Sequence, residues 1–180
     1  MKGYKAFYFD FTCRPNGWKI AHYEVGKEYE MDGAPVICNR GFHFCLDPIG
    51  VYNWYPERFD IRICEIESFG AFDHDLDRSK FCTDHIRIVD ELSPEKIAGY
   101  LEASPNWLIS DGVFTCIAAT LDAFRKAPWV YSLWTGRYDK QHFPTKKELI
   151  ALEERAEEWT RILEKHWKRK NEKEAGNEQR

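Results

Sequence analysis

A histidine between two phenylalanines is the first side chain in this sequence that could take part in chemistry. His43 stands in Phe42-His43-Phe44. Because successive side chains of a strand point to opposite faces, this alternation aims the imidazole away from the side on which the phenylalanines are expected to be buried. The imidazole therefore faces either a ligand cleft or plain solvent.

A glutamate among the apolar side chains on one face of a predicted strand is the second side chain that could take part in chemistry. Glu65 belongs to the alternating stretch 59–67, where it shares its phase with phenylalanine and isoleucine. An unpaired carboxylate on a buried face is costly, so Glu65 has either a functional role or an ionic partner. An ion pair with Arg62 or Arg87 is the simpler explanation.

The cysteines and histidines could also bind a metal. No Cys-x-x-Cys pair is present, and the spacings fit no standard zinc pattern. The acidic stretch 73–77 lacks the glycine and the terminal glutamate of a calcium-binding loop. We therefore expect no structural metal and no disulfide, although one set of residues could converge as a tetrahedral site: Cys38, His43, Cys45, Cys82 and His85.

The composition is that of a globular protein. The chain has 180 residues, of which 43% are hydrophobic and 31% charged, enough for one core with a helical appendage. No apolar run reaches the roughly 18 residues that span a bilayer, and the N-terminus lacks a secretory-signal pattern. We therefore expect a cytoplasmic protein without a membrane partner. The net charge of -4 does not indicate a nucleic-acid partner.

The elements that must position these side chains are strands first and helices afterwards. Alternating segments separated by turns such as Asn16-Gly17 predict strands as far as Leu92, with one short helix inserted after Asp47-Pro48. Ser93 and Pro94 then start a helix. This order predicts an α+β fold with a twisted antiparallel β-rich core. The residues expected to be buried in it are Phe7, Val36, Phe42, Phe44, Ile61, Ile63, Ile86 and Ile88.

The second part of the chain is predicted to be helical. We place a β-rich core domain at residues 1–105 and a helical region that packs on it at 106–180. Asp111 is expected to cap the first helix of that region. The tail from about residue 171 is expected to fray.

A long helix is predicted within this region. Thr145 and Glu148 form a capping box in front of it. The helix, residues 146–170, needs a surface that covers its apolar stripe, either on the core or through self-association with another copy of the chain. The stripe consists of Leu149, Leu152, Ala156, Trp159, Leu163 and Trp167.

The order of motifs in the first half is distinctive. It includes Gly3-Tyr4-Lys5-Ala6-Phe7, Thr12-Cys13-Arg14, the stretch 23–29, Gly41-Phe42-His43-Phe44-Cys45 and the stretch 86–93. Over about residues 1–95 this order resembles an uncharacterised family of small phage and prophage proteins. The resemblance implies an accessory protein of a mobile element. We expect a non-catalytic binding module that acts on a host macromolecule, in particular a host protein, with counter-defence as one such role.

A second resemblance concerns the fold. The segment from Gly41 to Tyr55, the strand 63–66 with Gly70, and the strand 84–90 with Tyr100-Leu101 resemble, in the same order, elements of the ADP-ribosyltransferase family. That resemblance implies an ADP-ribosyltransferase-like core. As the alternative function it implies NAD-dependent ADP-ribosyl transfer, with NAD as the cofactor.

The second resemblance also implies site residues. His43 stands where that family stacks an aromatic ring on nicotinamide, Lys5 near its first-strand His or Arg, and Asp84 where its catalytic glutamate holds the ribose. Aspartate is one methylene shorter, and such a misplacement can cost about 100-fold in rate. We therefore favour a binding module without a cofactor. For the transferase, the catalytic candidates are His43, Glu65 and Asp84, and the NAD contacts are Lys5, His43 and Tyr55.

Overall fold

The computed structural model of the protein describes residues 1–13, 21–128 and 145–178. The turn expected at Asn16-Gly17 lies outside these residues. The chain divides into two units, Met1–Pro56 with Ile61–Leu101, and Glu57–Asp60 with Glu102–Arg180. The first unit carries the strands and the second the long helices.

The described residues of the first unit contain seven strands: β1 Lys2–Phe7, β2 Thr12–Cys13, β3 Ala21–His22, β4 Glu28–Glu30, β5 Phe42–Phe44, β6 Arg62–His74 and β7 Phe81–Glu91. Five of them form one antiparallel sheet, in which β6 lies between β1 and β7, β4 pairs with the other edge of β7, and β5 also pairs with β7. Strands β2 and β3 form a separate two-stranded ladder. The predicted α+β class, with an antiparallel β-rich part followed by helices, is confirmed.

The register of β1 against β6 assigns side chains to the two faces of the sheet. Lys5 lies opposite Cys64, and Ala6 lies opposite Ile63. Glu65 therefore shares a face with Ile63, as the alternation predicts, whereas Lys5 shares the other face with Cys64. Both faces of β6 are buried at this level.

Most of the predicted core is confirmed. Six of the eight expected residues are buried, and Phe42 is half-buried against the same cluster. The expectation for Val36 is wrong, because 43% of this residue is exposed. Its N–H donates to the carbonyl of Arg40 at 2.7 Å, and its carbonyl accepts from the N–H of Arg40 at 2.8 Å. Val36 thus closes a tight turn, where the alternation of a strand does not apply.

The short inserted helix and the helix after the last strand are present. A 3₁₀ helix spans Gly50–Asn53, and Oδ1 of Asp47 accepts the N–H of Ile49 just before it at 3.0 Å. Helix α1, Pro94–Ala103, begins at the proline as expected. Ser93 caps it, because its Oγ accepts the N–H of Lys96 at 3.3 Å.

Helix α2, Trp107–Lys126, begins earlier than the sequence predicts. Its N-cap is Asn106, whose side chain accepts the N–H of Ile109 at 3.4 Å. The expected cap, Asp111, lies inside the helix and accepts a hydrogen bond from Nζ of Lys170 at 2.5 Å. Asparagine caps as well as aspartate does, so the earlier of the two residues starts the helix.

Helix α3, Lys146–Glu178, confirms the capping box and the apolar stripe. The Oε2 atom of Glu148 accepts the N–H of Thr145 at 2.7 Å, and Thr145 Oγ1 accepts the N–H of Glu148. Trp159 is 1% exposed within the single chain. The sequence favours a frayed tail from about residue 171, but the backbone is helical to Glu178. Lys173, Ala175 and the glutamates of that tail are strong helix formers.

The segment Glu57–Asp60 belongs with the helices rather than with the strand expected at 59–67. Phe59 is fully buried, and its ring lies 5.2 Å from that of Phe124 on α2. Its carbonyl accepts a hydrogen bond from Nε of Arg155 on α3 at 2.9 Å. The strand therefore starts only at Arg62. Among the described residues, no helix is both long and apolar enough to cross a membrane.

Candidate ligand cleft

A cleft of about 460 Å³ opens in the first unit. Its walls come from β1, from the turn before β5, from the residues after the 3₁₀ helix and from the residue before β7. A small apolar recess adjoins it and shares five of its residues: Lys5, His43, Trp54, Tyr55 and Lys80. Side chains from distant parts of the sequence thus converge on one cleft.

Three of the five site residues expected from the sequence line this cleft. Lys5, His43 and Tyr55 are among its lining residues. Glu65 lines a separate groove of about 330 Å³ beside Tyr4. Asp84 lines none of these cavities. The structure therefore brings together the three residues expected to contact NAD, but it does not bring the two candidate carboxylates to them.

The pairing of β1 with the end of β5 explains why Lys5 and His43 meet. Tyr4 and Cys45 exchange two backbone hydrogen bonds, of 2.7 and 2.8 Å. This bridge places the next residue of β1 beside β5, where Nζ of Lys5 donates to the carbonyl oxygen of His43 at 3.0 Å. The lysine is thereby drawn into the fold, and it is only 4% exposed.

Lys80 supplies the second positive charge. A turn positions it, because Oδ1 of Asp75 accepts its backbone N–H at 3.0 Å. Its Nζ lies 3.1 Å from Sγ of Cys38 and 3.4 Å from the centre of the Trp54 ring. Lys80 is 8% exposed. Among the ion pairs of the described residues, none joins Lys5 or Lys80 to a carboxylate, although buried charges are normally paired.

The imidazole of His43 is held by the turn that precedes it. Its Nε2 accepts the N–H of Cys38 at 2.9 Å, and the ring also hydrogen-bonds the backbone of Gly41. Burial, together with the charges of Lys5 and Lys80, lowers the pKa of His43 to about 4. The ring is therefore neutral at pH 7, and its Nε2 is already occupied as an acceptor. His43 fixes the turn and is poorly placed to accept a proton from a substrate.

The pKa of His43 leads to a prediction about acid stability. The unfolded chain, with a pKa of 6.5, takes up a proton before the folded chain does, so this contribution to stability is complete above about pH 6.5 and is lost as the pH falls towards 4. Allowing for solvent screening, we expect a loss of about 1–2 kcal/mol between about pH 7 and pH 4.5. In His43→Gln, whose amide oxygen can accept the same N–H, urea unfolding at both pH values should lack this loss. Equal pH dependence in both proteins would contradict a neutral, buried His43.

Tyrosines form the remaining wall of the cleft. Tyr8 packs edge-on against Tyr55, with ring centres 6.3 Å apart, and the hydroxyl of Tyr55 lies 3.2 Å from Sγ of Cys13. Tyr23 lines the same cleft. Burial raises the pKa of Tyr23 and of Tyr55, so these phenols stay neutral. The wall is aromatic and uncharged, and the charge of the cleft comes from its lysines.

Residues 1–99 match a protein family described as a domain of unknown function, DUF7666. The chain belongs to this family. No curated protein and no solved structure matches the chain. The expectation of an uncharacterised family over the first half is confirmed. The DUF7666 domain contains every described residue that lines the cleft, whereas α2 and α3 lie outside it.

Elsewhere in the DUF7666 domain, Asp84 supports a bulge of the sheet. Its Oδ1 accepts the N–H of Ala71 at 3.0 Å, where the register of β6 against β7 shifts. Gly70, with φ of +71°, packs so closely on this carboxylate that a Cβ atom would overlap it. The carboxylate of Asp84 is thus engaged by the backbone of β6.

Gly70→Ala should lower the free energy of unfolding by about 1–3 kcal/mol, because the left-handed backbone is strained for alanine and the new methyl group meets Asp84. Part of this loss should be recovered in the double variant Gly70→Ala/Asp84→Ala. Gly99→Ala is the matched control, since Gly99 lies in α1 with open space around it, and it should stabilise by about 0.5–1 kcal/mol. Urea unfolding measures these three variants and Asp84→Ala alone. Strictly additive effects of the Gly70 and Asp84 changes would exclude the contact.

Glu65 does not form the expected ion pair. Arg62 lies on the opposite face, where its Nη1 pairs with Oε2 of Glu91 at 2.5 Å and its Nε donates to the carbonyl of Phe9 at 2.6 Å. Arg87 lies opposite Glu67 in the register. Arg62 and Glu65 are three residues apart along β6, so their side chains lie on opposite faces of the sheet and cannot pair.

The sequence did not indicate Lys80 or Trp54 as residues of the cleft, and it offered Cys38 only as a possible metal ligand beside His43. Lys80 follows an acidic turn and has the sequence context of a solvated lysine. Its burial depends on β7 lying beside β5, which local patterns do not show. All six cysteines carry free thiols. Within residues 1–13, 21–128 and 145–178, no group of three or more His, Cys, Asp or Glu side chains is placed to hold a metal.

Proposed function

We propose that the protein acts by binding, as a non-catalytic module that holds an acidic group of its target in the cleft. The supporting observation is the pair of buried lysines, Lys5 and Lys80, without a carboxylate partner among the described ion pairs. A cleft with two buried positive charges that form no ion pair among the described residues attracts an anion. The surrounding tyrosines and Trp54 add apolar surface for the rest of the target.

The geometry favours binding over ADP-ribosyl transfer. That reaction, as the alternative implied by the resemblance, needs a carboxylate within hydrogen-bond reach of the ribose. Neither Glu65 nor Asp84 lines the cleft, and Nε2 of His43 is engaged by Cys38. The described residues of the cleft include lysines, cysteines and neutral aromatic rings but no carboxylate, so they can hold an anionic group without a carboxylate base to act on it. NAD is therefore not part of the proposal.

The resemblance of about residues 1–95 to phage and prophage proteins supports the biological side of the proposal. It suggests an accessory protein of a mobile element, whose target is a host protein in the cytoplasm and whose role is counter-defence. Free cysteines suit a reducing compartment. Self-association through the helix 146–170 is not required, because Trp159 is already buried within one chain.

A capture experiment tests the proposal. The immobilised wild type, Lys80→Met and the matched surface control Lys96→Met are incubated with bacterial lysate and labelled NAD. We expect the wild type and Lys96→Met to enrich the same protein, Lys80→Met to lose it, and label transfer to stay at the level without added protein. Transfer that disappears in Glu65→Ala or Asp84→Ala would establish an enzyme instead. Equal capture by Lys80→Met would exclude the cleft as the binding site.

A further inference from the structure

The charge and shape of the cleft indicate what kind of anion it holds. Both ammonium groups act on the same place, since each borders the cleft and each affects the titration of both His43 and Cys45. Lys5 uses one N–H on the carbonyl of His43, and the contacts of Lys80 are a thiol and a ring face. At least half of the six N–H groups of the two ammoniums therefore remain for a ligand.

A phosphate monoester fits two lysines better than a carboxylate does. It carries a charge of about -1.5 to -2 at pH 7 and three acceptor oxygens, whereas a carboxylate would leave about one positive charge uncompensated. Lysine recognises phosphate as a point charge, without the fixed geometry of an arginine fork. No arginine borders the cleft among its described lining residues.

The walls and the volume indicate that the ligand is larger than a free ion. Small-molecule pockets commonly measure about 300–1,000 Å³, and this cleft measures about 460 Å³. Trp54, Tyr8 and Tyr55 line it, and planar rings of ligands stack on such side chains. The ligand should therefore carry a ring close to its phosphate.

We propose that the acidic group of the target held in the cleft is a phosphate monoester that carries a planar ring, with its phosphate between the ammonium groups of Lys5 and Lys80. This inference rests on the proposed function, because it names the chemical group for which the cleft is built. The ring lies against the aromatic wall, and His43, as a neutral ring, holds the turn that carries Cys38 without competing for the phosphate.

Calorimetric titration of the full chain tests this inference with four probes: phenyl phosphate, AMP, benzoate and inorganic phosphate. We expect phenyl phosphate or AMP to bind at least about tenfold more tightly than benzoate, which has a ring but one charge, and than inorganic phosphate, which has no ring. Tighter binding of phenyl phosphate would indicate a phosphate directly on the ring, and tighter binding of AMP a phosphate separated from it. The inference would be overturned if benzoate or inorganic phosphate bound as tightly as the tighter of phenyl phosphate and AMP.

Variants assign the binding to the two lysines. Lys80→Met and Lys5→Met should each weaken binding at least about tenfold, Lys80→Arg should retain part of it, and the surface control Lys96→Met should bind like the wild type. Urea unfolding checks that each variant is folded. No binding to the folded wild type, or unchanged binding in both methionine variants, would overturn the inference. Neither result would affect the capture of a lysate protein or the absence of NAD turnover, so the two proposals fail separately.

Discussion

Replacing Phe44 by alanine is expected to lower the free energy of unfolding by about 3–5 kcal/mol. Phe44 is 2% exposed and lies on β5 opposite Phe81, with the two rings stacked 5.7 Å apart. Its ring also covers Gly3 so closely that no side chain could stand at that position. The cavity left by alanine cannot collapse easily between two paired strands. Urea unfolding followed by far-ultraviolet circular dichroism measures the loss.

Val36→Ala provides the control for this prediction. The alternating pattern treats Val36 as a core residue like Phe44, but its side chain is largely exposed in the structure. We expect Val36→Ala to change the free energy of unfolding by no more than about 0.5 kcal/mol, as for other surface substitutions. If the two variants lose comparable unfolding free energy, Val36 is buried in the core, and the turn from Val36 to Arg40 does not form as described.

Local signals in the sequence were sufficient for the element boundaries that depend on a few neighbouring residues. Ser93 caps α1 with its own hydroxyl, and Thr145 and Glu148 form both halves of a capping box. These hydrogen bonds join residues three apart, so the sequence alone contains both partners. The alternation of residues along β6 likewise predicts correctly that Glu65 and Ile63 lie on the same face of the sheet.

Two of the errors, at Phe59 and Asp111, involve a contact with a residue far along the chain. Phe59 continues the alternation of the following strand, yet its carbonyl bonds to Arg155, far along the chain. Asp111 is a good cap by composition, but Asn106 precedes it, and Lys170 of α3 takes up its carboxylate. Periodicity cannot register such partners, because it compares only residues on the same element.

The cleft was only partly predictable for the same reason. Lys5, His43 and Tyr55 were singled out through a family resemblance, and they do line one cleft. Lys80 and Trp54 were not singled out. Nothing in the sequence around Lys80 distinguishes a buried lysine from an exposed one. Only the pairing of β7 with β5 shows that Lys80 approaches the turn at Cys38. The charge of the cleft therefore follows from the sheet topology rather than from any motif.

A second large effect is expected in the helical unit. Trp159 lies on the stripe of α3 between Leu152 and Leu163, both of which are buried. Trp159→Ala should cost about 3–5 kcal/mol of unfolding free energy. Ile150→Ala, on the exposed side of the same helix, is the matched control and should cost no more than about 0.5 kcal/mol. Thermal and urea unfolding measure both variants.

Two further measurements show whether Trp159 is buried by its own chain. Among the described residues, its indole N–H is buried without a hydrogen-bond partner, so Trp159→Phe removes an unsatisfied donor and should cost less than about 2 kcal/mol. If the stripe is covered within one chain, the unfolding midpoints of the wild type and of both variants will not change with protein concentration. A midpoint that rises with concentration in the wild type and not in Trp159→Ala would instead establish self-association through α3, since only a second chain can make burial depend on concentration.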